Sequence, residues 1–284
     1  MGGARLRHNP APAALPRALV TNDDGWSAPG IRALAIAVRA AGWSLVVAAP
    51  HRESSGISAA LTAVTDQGRI VVDRVALAGL DGVPAFRVAA SPAYIAVLAG
   101  LGSFGPPPDV VLSGINRGAN AGHAVMHSGT VGATLVAANN GVRAMAVSLD
   151  VLSPAAGSSA SGGAAIAALD TVDDEARHWT TAAGYARRLL PALLEVPAGT
   201  VLNLNVPDLP EHEVRGLRQA TLAPFGQTQL ALAETGADFV RVAIEENGAR
   251  QEPGTDLAFL AQGYASVSPI RPVSDATDVV LSLA

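Results

Sequence analysis

Residues 17–25 read Arg-Ala-Leu-Val-Thr-Asn-Asp-Asp-Gly, an apolar run that stops on two adjacent carboxylates and a glycine. An amphipathic helix pattern follows: Ser27 and Pro29 mark its start, and Ile31, Leu34, Ala35 and Val38 give its 3.6-residue face. A strand, a tight acidic turn and a helix make the first unit of a βαβ fold. Two adjacent carboxylates at the end of a buried strand repel each other and lose hydration. Asp23 and Asp24 therefore call for a compensating cation or proton, which points to a divalent-metal site.

The same alternation continues through the first half. Strand patterns appear at 44–49, 69–72, 85–89, 109–112 and 144–149, and helix patterns at 92–98 and 130–139. This rhythm predicts an α/β fold, a Rossmann-like, mostly parallel sheet with helices on both faces. A helix is predicted over 174–194, with Tyr185, Leu189 and Leu193 on one stripe. Further strands are predicted at 201–206, 239–244 and 265–268. Residues 1–16 read as a loose tail, 17–284 as a single domain, and the Ser/Ala/Gly-rich 153–172 as a flexible insertion.

Composition narrows the function. The chain of 284 residues is 49% hydrophobic but only 4% aromatic, so Val, Leu, Ile and Ala must fill the core. A formal charge of −5 gives no basic excess for a nucleic acid polymer. The absence of cysteine excludes disulfides, thiolate catalysis and zinc–thiolate sites. No stretch is long and apolar enough for a signal peptide or a bilayer span, so a cytoplasmic protein without a membrane partner is expected.

Open α/β sheets place ligands beyond the carboxyl ends of their strands. Three polar clusters fall at such ends: Asp23-Asp24, Ser54-Ser55-Gly56, and Ser113-Gly114-Ile115-Asn116 followed by Gly118, Asn120 and Gly122. Two carboxylates, a hydroxyl and an amide carbonyl are all oxygen donors, which suit Mg²⁺ or Mn²⁺ better than zinc or copper. Ser128-Gly129-Thr130 precedes a helix pattern, and free amides there can hold an anion. A metal beside a phosphate cradle suggests phosphoryl chemistry. Each cluster also has a plain reading: a turn for Asn22–Gly25, a loop for Ser54–Gly56, a helix cap for Ser128–Thr130. His123 and His127 flank the cradle, where one could act as acid or base, and both also suit surface loops.

The chain resembles the SurE family of stationary-phase survival proteins. The resemblance lies in Leu19–Gly25 with Ala28–Ile31, Val47–Pro50 with Ser55-Gly56 and Leu61-Thr62, and Ser113–Asn116 with Gly118, Asn120 and Gly122. It continues through Ser128–Val131, Ala146–Leu149, Leu204–Pro207, Thr255-Asp256 and Gly263–Pro269. It implies a metal-dependent phosphomonoesterase hydrolysing nucleoside 5′- and 3′-monophosphates. It implies one divalent ion per subunit held by Asp23, Asp24, Ser55 and Asn116. Catalysis would fall to Asp23, Asp24, Asn116 and Asn120, with Ser128, Gly129 and Thr130 on the phosphate. A homodimer or homotetramer built through residues 211–284 is also implied. The chain departs from the family in Ala93-Tyr94 after Pro92, where many members have Asp-Cys, and in the poorly matching residues 211–250.

Two other readings compete. Attack by Asp23 or Asp24 on phosphorus would form a phospho-aspartyl intermediate, but the dehalogenase-type pattern separates its aspartates by one residue. A non-catalytic nucleotide-binding module would use the same fold, yet no Gly-x-Gly-x-x-Gly follows the first strand.

Overall fold

Ala18, Leu19, Val20 and Thr21 are fully buried, because the strand they form lies at the middle of a sheet covered on both faces. The structure, a computed structural model, describes residues 15–53, 56, 58–151, 173–224, 228–235, 240–246, 252–275 and 278. Ser54, Ser55, nearly all of the N-terminal tail and the 153–172 insertion fall outside the described residues.

The elements run in the order β1 (Arg17–Thr21), α1 (Pro29–Ala40), β2 (Ser44–Pro50), β3 (Thr65–Asp66), β4 (Arg69–Ile70), β5 (Val72–Arg74) and β6 (Ala85–Val88). Then come α2 (Pro92–Gly100), β7 (Val110–Arg117), α3 (Gly129–Asn139), β8 (Arg143–Asp150), α4 (Trp179–Glu195) and β9 (Val201–Pro207). The chain continues through β10 (Leu217–Gln219), β11 (Thr228–Thr235), β12 (Val240–Glu246), α5 (Asp256–Ala261) and β13 (Ala265–Ile270).

Nine strands form one sheet in the order β10-β13-β9-β8-β7-β1-β2-β6-β5. From β6 through β9 the pairings are parallel, and β5 and β13 add antiparallel partners at the flanks. The α/β architecture expected from the sequence is therefore present. The chain leaves β1 toward β2 and later returns to β1's other side as β7, so the strand order reverses between β1 and β7. That reversal opens a crevice at their carboxyl ends.

Helices α1 and α4 cover one face through Ile31, Leu34, Leu190 and Leu193. Helices α2 and α3 cover the other, with Ile95, Ala99, Ala137 and Ala138 packed on Leu19, Val46 and Val111. Each fully buried Leu or Ile contributes roughly 1.5–3 kcal/mol.

One element differs from expectation. The helix predicted from 174 begins at Trp179, after a separate 3₁₀ turn over Asp174–Ala176. Side chains hold the backbone off the helical path there: Arg177 lies 2.9 Å from Asp174 and 3.3 Å from Asp208, and the His178 amide donates to Asp208 at 2.9 Å. In the C-terminal part, β10 and β13 join the main sheet, whereas β11 and β12 form a separate antiparallel hairpin.

Candidate active site at the sheet rim

Thr21 pairs with Ser113, so Asn22-Asp23-Asp24 leave β1 beside Gly114-Ile115-Asn116 at the end of β7. Asn22 closes the acidic turn by donating from Nδ2 to the Gly25 carbonyl at 3.0 Å. The Trp26 amide donates to the Pro50 carbonyl at 3.0 Å and ties the turn to the end of β2. The tetrapeptide is thus a turn and a functional candidate at once.

Asp23 is only 4% exposed. Its carboxylate points at the start of α3, where the Thr130 hydroxyl donates to Oδ1 and the Thr130 amide also donates. Burial nonetheless pushes its pKa above the ordinary carboxylate value. Gly129 makes this approach feasible: a Cβ there would lie 2.7 Å from Asp23 Oδ2. Asp24 is pushed up to about 7 by burial, then by the charges of Asp23 and Glu53, against an opposing hydrogen bond from the Arg117 amide.

That Arg117 bond places Asn116 one residue from the acidic doublet. The register of β7 on β8 shifts between Gly114 and Asn116, and such bulges re-aim side chains at a sheet rim. Gly114 permits it with φ +136°, and a Cβ there would sit 2.2 Å from the Val147 carbonyl oxygen. Asn116 Nδ2 donates to the Gly118 carbonyl at 2.8 Å, so its amide NH₂ is engaged and its Oδ1 is the atom suited to ligation.

Ser128 caps α3, its Oγ accepting from the Val131 amide at 3.0 Å. The hydroxyls of Ser128 and Thr130 are thus both engaged within the protein. Asn120 is half-buried, and its Nδ2 donates to Ser148 Oγ at 2.9 Å. Its backbone is held by Asn203 and Asn205, residues with no role assigned from the sequence. His123 and His127 lie exposed on the 3₁₀ segment Gly122–His127. Although Ser55 itself is not described, Ser58 just beyond it donates to the Met126 carbonyl at 2.5 Å, against the segment leading into α3.

The structure therefore brings Asp23, Asp24, Asn116, Gly129 and Thr130 together, with Asn120 on the adjoining loop. Among the described residues no three His, Cys, Asp or Glu side chains gather as a metal cluster. A cation here would need neutral oxygens to complete its shell, which is the donor set of a hard ion such as Mg²⁺ or Mn²⁺. Two adjacent carboxylates of raised pKa, Asp23 buried and Asp24 half-buried, supply the negative charge such an ion would relieve.

Known proteins resemble this chain in sequence and in fold. The sequence model of the family described as Survival protein SurE matches residues 18–231. The 5′-nucleotidase SurE of Aeromonas hydrophila is 34% identical over 259 residues, covering 89% of this chain and 91% of that protein. The 5′/3′-nucleotidase SurE of Edwardsiella ictaluri is 35% identical over 260 residues, covering 90% of this chain and 89% of its own. The crystal structure of the SurE protein from Aquifex aeolicus superposes with a TM-score of 0.71 at 26% identity, covering 93% of this chain and 96% of its own.

Proposed function

The chain belongs to the SurE family, and on that premise we propose that it is a metal-dependent phosphomonoesterase acting on nucleoside 5′- and 3′-monophosphates. The observation that carries this is the Asp23–Asp24 doublet at the strand-order reversal, with Asp23 buried against the start of α3 and Asp24 half-buried beside it. Asp23, Asp24 and Asn116, with Ser55, would hold one divalent ion, Mg²⁺ or Mn²⁺. Bound there, such an ion acidifies its water and neutralises charge on the transferring phosphoryl group.

The residues divide the remaining tasks. Thr130 fixes the orientation of Asp23 through its hydroxyl and amide. Ser128 caps α3 and Gly129 and Thr130 open it; the Thr130 amide serves Asp23, so the Gly129 amide and the helix dipole are what would favour phosphoryl oxygens. The Asn120 amide carries two hydrogens; one goes to Ser148, and the other is available to a substrate oxygen. A donor already in place gains most as charge develops in the transition state. Water would be the nucleophile, since the adjacent aspartates would be holding the ion.

We also propose a cytoplasmic homodimer or homotetramer in which the β11–β12 hairpin, separate from the main sheet, contributes contacts. Among the described residues no helix is long and apolar enough to cross a membrane.

The deciding experiment is a phosphate-release screen across mononucleotides with Mg²⁺, Mn²⁺ or EDTA. Release from at least one nucleotide, lost with EDTA and regained with either ion, is the expected result. Binding of AMP without phosphate release at saturating metal would instead favour a nucleotide-binding module.

A further inference from the structure

The loop between β7 and α3 is held chiefly by side chains from the C-terminal half of the chain. The Asn120 amide donates to Asn205 Oδ1 at 2.8 Å. The Asn120 carbonyl accepts from Asn205 Nδ2 at 2.9 Å and from Asn203 Nδ2 at 2.8 Å. Two residues on, the Gly122 amide donates to Asp256 Oδ2 at 2.8 Å. Asp256 Oδ1 accepts from the amides of Ala223 and Leu257, both at 2.9 Å, and the His123 amide donates to the Ala223 carbonyl at 2.9 Å. Asn203, Asn205 and Asp256 are all fully buried.

Such an arrangement exceeds what loop closure requires. Gly118 already returns its amide to the Leu149 carbonyl at 2.9 Å, and Ser128 already caps α3. Burying a carboxylate and two carboxamides costs free energy unless each is well bonded. Here the bonds converge on the backbone around one residue, Asn120.

We infer that Asn205 and Asp256 are positioning residues that set Gly118–Gly122 and, through it, Asn120 against the transferring phosphoryl group. This rests on Asn120 being a phosphoryl-facing donor. Asn205 bonds both the N–H and the C=O of Asn120, which fixes the peptide planes on either side and hence the direction of the side chain. Asp256 fixes the loop's far end at Gly122. The reciprocal pair between Asn205 and Asn120 cannot be reproduced by a shorter side chain, and a carboxamide at 256 would set a donor against the Gly122 amide.

The test uses full-length protein and steady-state phosphate release from the best mononucleotide at saturating metal. Asn205→Ala and Asp256→Asn are each expected to lower kcat about 10- to 100-fold with KM within about twofold, the mark of a displaced transition-state donor. In an Asn120→Ala background the same substitutions should cost less than about threefold, because the group they position is gone. Ser266→Ala is the packing control. Ser266 pairs with Asn205 across β9 and β13, is equally buried and touches no part of the loop through its hydroxyl. Its kcat should be unchanged. If Asn205→Ala does not fold, Asn203→Ala, which removes one of two donors to the same carbonyl, carries the test with a smaller expected drop.

Wild-type kcat in the folded variants would overturn the inference. So would an undiminished effect in the Asn120→Ala background, or an equal drop in Ser266→Ala. Should Asn120→Ala alone turn over at the wild-type rate, the role of Asn120 itself falls. An impaired Asn120→Ala beside an unaffected Asn205→Ala removes only the clamp.

Discussion

A carboxylate as buried as that of Asp23, with a second one beside it, needs fixed donors and a charge to answer it. Thr130 gives it two donors, yet burial still outweighs them and its pKa stays raised. That balance separates two substitutions. Asp23→Asn removes the charge but keeps the shape, so the fold should survive while kcat falls by about 10³-fold or more. Circular dichroism and phosphate release check both halves, and near-wild-type turnover at saturating metal would contradict the assigned role. Thr130→Val removes one donor from Asp23 Oδ1 and leaves the amide. The expected loss is about 1–2 kcal/mol of stability and about 10- to 100-fold in metal affinity or turnover. Thr130→Ser restores the hydroxyl and should recover most of both, as read by denaturant titration and Mn²⁺-dependent activity.

At the scale of elements, two glycines decide how a strand and a helix meet the site. Gly114 lies in β7 at φ +136°, and its absent Cβ would sit 2.2 Å from a backbone oxygen of β8. Neither strand can move aside without breaking the sheet. Gly114→Ala should therefore cost roughly 3 kcal/mol or more, visible as a large fall in Tm. Gly129 meets the end of a side chain instead, Asp23 Oδ2 at 2.7 Å. Alanine is the better helix residue by up to about 1 kcal/mol, and the carboxylate can swing away. Gly129→Ala should accordingly leave Tm within a few degrees while turnover collapses; equal losses in both would show that the backbone yields instead.

These elements also show where the sequence was readable. β1, β2 and β8 are buried on both faces, so they appear as the apolar runs Ala18–Val20, Leu45–Pro50 and Ala144–Val147, which no surface loop imitates. The oxygen-donor types at successive strand ends were likewise visible, because the fold rule converts strand order into proximity. The start of α4 was not. Asp174, Arg177 and His178 are helix-compatible residue types, and only the Arg177 contacts with Asp174 and Asp208 and the His178 bond to Asp208 reveal the break. Asn205 and Asp256 could be matched to a family pattern yet given no role, and Asn203 lies outside that pattern. Their partners in the loop, Asn120 and Gly122, are more than 80 residues away, and no local spacing encodes that.

For the whole molecule, the cation-free site makes stability depend on pH. Asp23, Asp24 and Asp256 all have pKa values raised by burial above the ordinary carboxylate value of 3.8, Asp24 to about 7. Below the unfolded value both states are protonated and the groups add no penalty. As pH rises through the window from about 4 to about 7, the unfolded chain releases these protons more readily than the folded one, so folding is progressively disfavoured. With EDTA present, Tm should fall between pH 5 and pH 8. At the proposed site a divalent ion would compete with protons for Asp23 and Asp24 and replace the charge that burial removes. Saturating Mn²⁺ should therefore raise Tm strongly at pH 8 and little at pH 5, whereas Asp256, bonded to the amides of Gly122, Ala223 and Leu257 and not assigned to the ion, keeps its share of the slope. Asp24→Asn should flatten the EDTA profile and shrink the Mn²⁺ increment together. Calorimetry across that range checks the coupling, and an Mn²⁺ increment independent of pH would place the ion away from the doublet.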